Sequence, residues 1–264
     1  MIKAAFFDID GTLVSMKTHR MTDKVLDTLY ILKEKGIKLF IASGRPPQII
    51  DNLRDFPFDG IISMNGALVI ADGEIIYRRP IERDSAIRIA EISNANKIPA
   101  FISTENLCGV NLMNDISWEM FRLIKIAPPQ YIDIEDIASK QNIYQATVYA
   151  TVEEEERLIV PYVKNVDFPR WHPAFSDIVP GGIDKAEAVG TICRHYGIDI
   201  ADTIAFGDGG NDKGMLQAAG IGIAMGNAVE EVKATADMTT LSVEEDGIVA
   251  ALKKLSAIYT WRLL

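Results

Sequence analysis

The sequence predicts an α/β protein built on a doubly wound parallel sheet, with a second α/β segment inserted into it. Three observations carry that expectation. Short apolar runs alternate with segments whose apolar positions recur at helical spacing. Turns rich in carboxylates follow two of those runs, at Asp8–Asp10 and at Asp208–Asp212. Between residues 81 and 180 the regular alternation gives way to a more irregular mixture of helices and strands.

The segment Lys3–Ile9 reads as a strand buried on both faces, because its centre AAFF is apolar without interruption and it ends abruptly in DIDGT. Thr22 is placed to cap a helix whose apolar positions are Val25, Leu26, Leu29 and Leu32, with Gly36 as its stop. Ile37–Ala42 is the next strand. Ser43, Gly44, Arg45 and Pro46 follow, the proline standing where the first turn of a second helix is expected. Gly60–Met64 continues the alternation, and Ala67–Arg79 reads as a hairpin turning at Asp72–Gly73.

After Pro80 comes the inserted segment, including a strand at Tyr144–Thr151 that leads into the acidic helix start VEEEER. Alternation resumes after Gly181–Gly182 with a helix over Lys185–Tyr196 closed by Gly197 and a strand at Thr203–Phe206 ending in GDGGND. The tail adds a strand at Ile221–Met225, a helix from Val229 and another over Glu245–Leu255. The expected division is a core of residues 1–80 and 181–264, with an inserted α/β domain at 81–180.

Composition narrows the function classes. A chain of 264 residues with 48% hydrophobic and 24% charged content can bury a large core. Its net charge of −10 disfavours a nucleic-acid partner, whose phosphates call for a basic surface. No run of 18 apolar residues supports a membrane span, and the apolar run near the N-terminus is too short for a signal peptide. Cys108 and Cys193 lack the spacing of a zinc or dithiol site and read as free thiols of a reducing, cytoplasmic setting. His19, His172 and His195 share no ligand spacing. Arg170, Trp171 and His172 read as a packed or exposed aromatic turn rather than as substrate contacts. No obligate protein partner is inferred.

The chemistry sits at the strand ends, where ligands of such sheets bind. Asp8 and Asp10 are two apart, so an extended backbone turns both carboxylates to one side. Asp208 and Asp212 form a second acidic turn, and two acidic turns make an oxygen site for a hard cation, for which Mg²⁺ is suited. Ser43 and the Gly44 amide, just before an expected helix, offer donors to a phosphate, and Lys185 adds a full positive charge. The string GDGGND lacks the GxGxxG pattern and no Walker lysine follows it, which disfavours a dinucleotide site or P-loop.

In this order, DIDGT, ASGR around Ser43, GIDKAEAV around Lys185 and GDGGND resemble the four motifs of haloacid dehalogenase superfamily phosphatases. Asn65-Gly66-Ala67 and the tail GNAVEEVKATAD resemble the Cof-type subfamily, whose α/β cap is inserted between the second and third motifs. The resemblance spans the chain. It implies a Rossmann-like core and a cap, with Asp8 as nucleophile, Asp10 as general acid/base, and Ser43, Gly44, Lys185 and Asn211 around the phosphate. It also implies Mg²⁺ held by Asp8, the main-chain oxygen of Asp10 and Asp208, supported by Asn211 and Asp212. Arg45, beside the phosphate motif, is a candidate substrate contact. The implied substrate is a small phosphorylated metabolite, with sugar phosphates first. A sugar phosphomutase and a non-catalytic phosphosugar-binding regulator are the alternatives.

Overall fold

The first apolar run forms strand β1, Ala4–Phe7, every residue of which is buried. Ala5 and Phe7 join one apolar cluster with Leu29, Leu32, Val249 and Leu252, while Ala4 and Phe6 join another with Val189, Ile192, Met215 and Leu216. A strand covered on both faces has no polar side to show, which explains the unbroken AAFF. Each phenylalanine so buried stabilises the fold by about 1.5–3 kcal/mol. The computed structural model describes residues 1–123, 127, 129–170 and 172–258. Trp171 lies outside the described residues.

Helix α1, Asp23–Glu34, starts where Thr22 accepts a hydrogen bond from the Val25 amide at 3.2 Å, and Gly36 follows it at φ +78°. Strand β2, Lys38–Ala42, lies parallel to β1, and β3, Gly60–Ser63, parallel to β2. The helix expected after Ser43–Pro46 does not form. Pro47–Ile49 makes a single 3₁₀ turn and Ile50 returns to extended backbone. Pro47 forces Pro46 into the extended region at ψ 147°, and the two prolines remove two amide donors, so the turn does not propagate. Strands β4, Leu68–Ala71, and β5, Glu74–Arg78, form the hairpin, with Asp72 and Gly73 both at positive φ as its tight turn requires.

The chain divides into two compact units, Met1–Tyr77 with Asp184–Leu264, and Arg78–Ile183. In chain order the second unit comprises α2 (Arg83–Ala95), β6 (Ala100–Ser103), β7 (Cys108–Val110), α3 (Asp115–Leu123), α4 (Ile134–Lys140), β8 (Gln145–Val148), α5 (Val152–Leu158), β9 (Val166–Asp167) and β10 (Ser176–Pro180). Its strands pair in the order β7-β6-β8-β10-β9, antiparallel throughout. One sheet face, with Ala100, Ile102, Ala146, Val148 and Ile178, packs on Ile89 and Ala90 of α2 and Ala138 of α4. The acidic start of α5 is fixed by a capping box between Thr151 and Glu154.

The first unit resumes with α6, Lys185–Tyr196, capped by Asp184 and closed by Gly197 at φ +63°. Strand β11, Thr203–Gly207, pairs parallel to β1 on the side opposite β2. Helix α7 (Lys213–Ala218), β12 (Ile221–Ala224), α8 (Glu230–Lys233), β13 (Met238–Thr239) and α9 (Gly247–Ile258) complete the unit. Helix α9 starts later than expected because Asp246 is left-handed, and Glu245 instead caps the preceding turn through Ser242. The sheet has eight strands in the order β13-β12-β11-β1-β2-β3-β4-β5. Connections therefore leave β1 in opposite directions along the sheet, which opens a crevice at the carboxyl ends of β1 and β11. No described helix is long and apolar enough to cross a membrane.

Candidate active site

Strand β1 delivers Asp8 to its carboxyl end, where the Asp8 amide extends the ladder to the Phe206 carbonyl at 3.0 Å. The chain then turns tightly, with the Val14 amide on the Ile9 carbonyl at 2.8 Å and the Gly11 amide on the Val14 carbonyl at 2.9 Å. Gly11 sits at φ +85°, and a Cβ there would stand 2.2 Å from Asp208 Oδ2. A side chain at that position would displace the carboxylate that β11 brings alongside.

Helix α6 places Lys185 in its first turn, fully buried, between the two acidic turns. Its Nζ donates to Asp8 Oδ1 at 2.7 Å and to Asp212 Oδ1 at 2.6 Å. Asp212 Oδ2 accepts from the amides of Asp208 and Gly209, at 3.0 and 2.8 Å, so the turn is closed around its own last carboxylate. Asp8, Asp208 and Asp212 each bring a carboxylate oxygen within 4.8 Å of the others.

Charge in this cluster is unbalanced. One ammonium faces three carboxylates, and the proton affinities record the excess. Burial and the neighbouring Asp212 hold Asp8 well above the usual carboxylate range, and the same causes push Asp208 up to about 7. Burial opposes the charge on Lys185, but the Asp212 and Asp8 carboxylates outweigh it and hold the ammonium above the ordinary lysine range. An all-oxygen, anionic donor set short of two positive charges fits a divalent hard cation such as Mg²⁺.

On the other side of β1, Ser43 is buried and its Oγ accepts from the Arg45 amide at 3.1 Å. The Asn65 amide donates to the Ser43 carbonyl at 3.1 Å, and Asn65 Oδ1 accepts from Asn211 Nδ2 at 2.9 Å. Ser43, Gly44 and Asn211 are thus drawn together through Asn65, which takes a left-handed conformation at φ 56°. The helix terminus expected to assist Ser43 and Gly44 is replaced by the single turn Pro47–Ile49, so that place offers individual donors rather than a helix dipole.

Asp10 stands outside the three-carboxylate group but near enough for its charge to act on Asp208. Both of its oxygens accept from Arg45, Nε to Oδ2 and Nη2 to Oδ1, each at 2.7 Å. Arg45 also donates from Nη1 to the Ile49 carbonyl at 3.3 Å. Arg170 is engaged within the second unit by Glu155 at 2.9 Å, and His172 stacks on Phe175 with ring centres 5.7 Å apart. Two neutral residues with no role assigned from sequence complete the site. Thr12 Oγ1 donates to Asp208 Oδ1 at 3.1 Å, and Asn227 Nδ2 to Asp208 Oδ2 at 2.9 Å.

With a buried lysine set between carboxylates at the strand ends of a parallel sheet, the chain is a phosphatase of the haloacid dehalogenase superfamily, Cof type, as its family profile and its solved relatives show. The chain belongs to the haloacid dehalogenase-like hydrolases, whose family profile matches residues 5–252. YkrA of Bacillus subtilis strain 168, provisionally named a phosphatase, is 32% identical over 97% of this chain and 98% of its own. The solved structure of BT4131, a subclass IIB sugar phosphatase, is 39% identical with a TM-score of 0.87, covering 96% of this chain and 99% of that one. BT1666 of Bacteroides thetaiotaomicron, described among haloalkanoate superfamily phosphatases, is 32% identical with a TM-score of 0.86 over 97% and 96% of the two chains.

Proposed function

We propose that the protein is a magnesium-dependent phosphatase of small phosphorylated metabolites, sugar phosphates foremost, acting through an aspartyl-phosphate on Asp8. The observation that carries this reading is Lys185, buried without solvent contact between Asp8 and Asp212 beside Asp208. A lysine so placed keeps a carboxylate nucleophile aligned and offers positive charge to an incoming phosphoryl group. The kinship with a sugar phosphatase supports the choice of leaving group.

In the proposed reaction an Asp8 carboxylate oxygen attacks phosphorus in line, and the bond from phosphorus to the leaving oxygen breaks. Lys185, Ser43, the Gly44 amide and Asn211 stabilise the equatorial oxygens, while Asp10 gives its proton to the departing alcohol. Asp10 then removes a proton from water, which attacks the acyl phosphate and frees inorganic phosphate and Asp8. Asp8, Asp208 and the main-chain oxygen of Asp10 would hold Mg²⁺, with Asn211 and Asp212 in support, and the bound ion would lessen repulsion between the carboxylates and the phosphate dianion. Arg45 orients Asp10; because it engages both carboxylate oxygens, proton delivery requires that pair to shift.

The decisive experiment measures inorganic phosphate released from hexose and pentose phosphates, nucleotides, pyridoxal phosphate and phosphopeptides at one Mg²⁺ concentration. Free phosphate, highest kcat/KM on sugar phosphates and loss of turnover on chelation are expected. Isomerised sugar phosphate without free phosphate would favour a mutase, and binding without turnover a regulator. A clear preference for phosphopeptides or nucleotides would overturn the substrate class.

A further inference from the structure

The amide of Asn227 commits both N–H donors and its oxygen at one junction. Nδ2 donates both to Asp208 Oδ2 and to the Gly11 carbonyl, each at 2.9 Å, and Oδ1 accepts from the Val243 amide at 2.9 Å. This pattern fixes the orientation of the amide, since a flipped group would set its oxygen against two acceptors. Four stretches of chain converge there: the turn after β1 carrying Gly11, the turn after β11 carrying Asp208, the loop after β12 carrying Asn227 itself, and the turn Val243–Glu245 before α9. The neighbouring strand order β12-β11-β1 brings the first three loops together.

Asp208 differs from the other two carboxylates of its cluster in the donors it receives. Asp8 and Asp212 accept from the Lys185 ammonium, whereas the donors to Asp208 among the described side chains are neutral, Thr12 on Oδ1 and Asn227 on Oδ2. A neutral donor orients a carboxylate without cancelling its charge, and each oxygen keeps a further lone pair free. Asp208 is thereby aimed but not neutralised.

We infer that Asn227 is a positioning residue for the divalent cation: it holds Asp208 in the ligating rotamer and ties that carboxylate to the turn at Val243–Glu245. The inference rests on reading Asp208 as a metal ligand. The tie continues outward, because Glu244 accepts from Ser15 Oγ at 2.6 Å and so links the same turn to the segment following β1. Asn227 itself is exposed, so replacing it opens no buried cavity, and its effect on the cation is separable from an effect on folding.

The test is isothermal titration calorimetry of the full chain with Mg²⁺ alone, no substrate present. Asn227→Ala and Asn227→Leu should each weaken Mg²⁺ binding by about 10- to 100-fold, the usual effect of losing an outer-sphere partner. The thermal midpoint of the metal-free protein should fall only slightly, as expected when an exposed side chain loses its hydrogen bonds. Val243→Pro removes the amide that fixes Oδ1 at a turn position suited to proline, and should weaken Mg²⁺ binding in the same direction by a smaller factor. Wild-type Mg²⁺ affinity in both Asn227 variants overturns the inference, as does affinity lost in the alanine variant and restored by leucine, which would mark a space-filling role. If the wild-type chain itself binds no Mg²⁺, the metal reading fails and takes this inference with it.

Discussion

Arg45 grips Asp10 through two parallel hydrogen bonds of 2.7 Å, one to each carboxylate oxygen, although 35 positions separate the two residues in the chain. Arg45 has little solvent exposure, and its planar fork matches the carboxylate in a way a lysine ammonium does not. The guanidinium thus serves Asp10 in the described structure, where the sequence suggested a substrate contact. Arg45→Lys should therefore lower kcat by about 10-fold or more, as the proposed role of Asp10 as general acid/base requires, with a smaller change in KM. Steady-state kinetics on a sugar phosphate and on an aryl phosphate would check this. A rise in KM confined to the sugar phosphate would return Arg45 to the role of substrate contact.

Asp8→Asn should abolish turnover while leaving the fold intact. The amide keeps the shape of the carboxylate but is too weak a nucleophile to form an acyl phosphate. Phosphate release should fall by several orders of magnitude while circular dichroism stays unchanged, and radiolabelled phosphate should no longer be trapped on the acid-quenched chain. Near-normal activity in this variant would refute the covalent route.

Lys185→Met removes the ammonium that, alone among the described residues, bonds to Asp8 and Asp212, and leaves those carboxylates buried together. Loss of one partner from a buried ionic cluster typically costs about 3–5 kcal/mol. The metal-free variant should show a thermal midpoint well below wild type at pH 8. Without the lysine the buried carboxylates hold protons more tightly in the native state than in the unfolded chain, so the deficit should shrink as pH falls and they become neutral. Added Mg²⁺ should restore part of the midpoint by supplying the missing positive charge. A deficit independent of both pH and Mg²⁺ would show that Lys185 acts by packing alone.

The fold was legible where local chemistry and burial agree. The uninterrupted AAFF marks a strand covered on both faces, and the start and stop of α6 follow from Asp184 and Gly197. Boundaries failed where one residue overrode the local pattern: Pro47 behind Pro46 stopped a helix, and left-handed Asp246 delayed α9. Asp8, Lys185, Asp208 and Asp212 could be singled out because charged residues at strand and helix ends are conspicuous, and the structure brings them together. Thr12 in DIDGT and Asn227 in GNAVEEVKATAD carry no role legible in the sequence, because a neutral hydroxyl or amide gains meaning only when loops distant in sequence meet. The pairing of Arg45 with Asp10 escaped notice for the same reason.

Asp177, in the second unit, offers a measurement independent of turnover. It is buried on β10, and its carboxylate has one hydrogen-bond donor among the described side chains, Thr147 Oγ1 at 2.6 Å. Burial pushes its proton affinity up to about 6, from an ordinary value of 3.8, with the threonine bond opposing the shift. Because the folded-state value lies above the unfolded one, the native protein binds this proton more tightly. Ionised Asp177 therefore destabilises the fold at pH 8, and that penalty is relieved as pH falls through about 6 towards the unfolded value. A shift of this size corresponds to roughly 3 kcal/mol. Asp177→Asn keeps an oxygen for the Thr147 hydroxyl and removes the charge. It should raise the thermal midpoint at pH 8 by several degrees and at pH 4.5 by only about a third as much, because there the native carboxyl is protonated while the unfolded one is still largely ionised. Thermal scans of both proteins at the two pH values would decide it: an equal difference at both would mean that the ionised carboxylate carries no burial penalty.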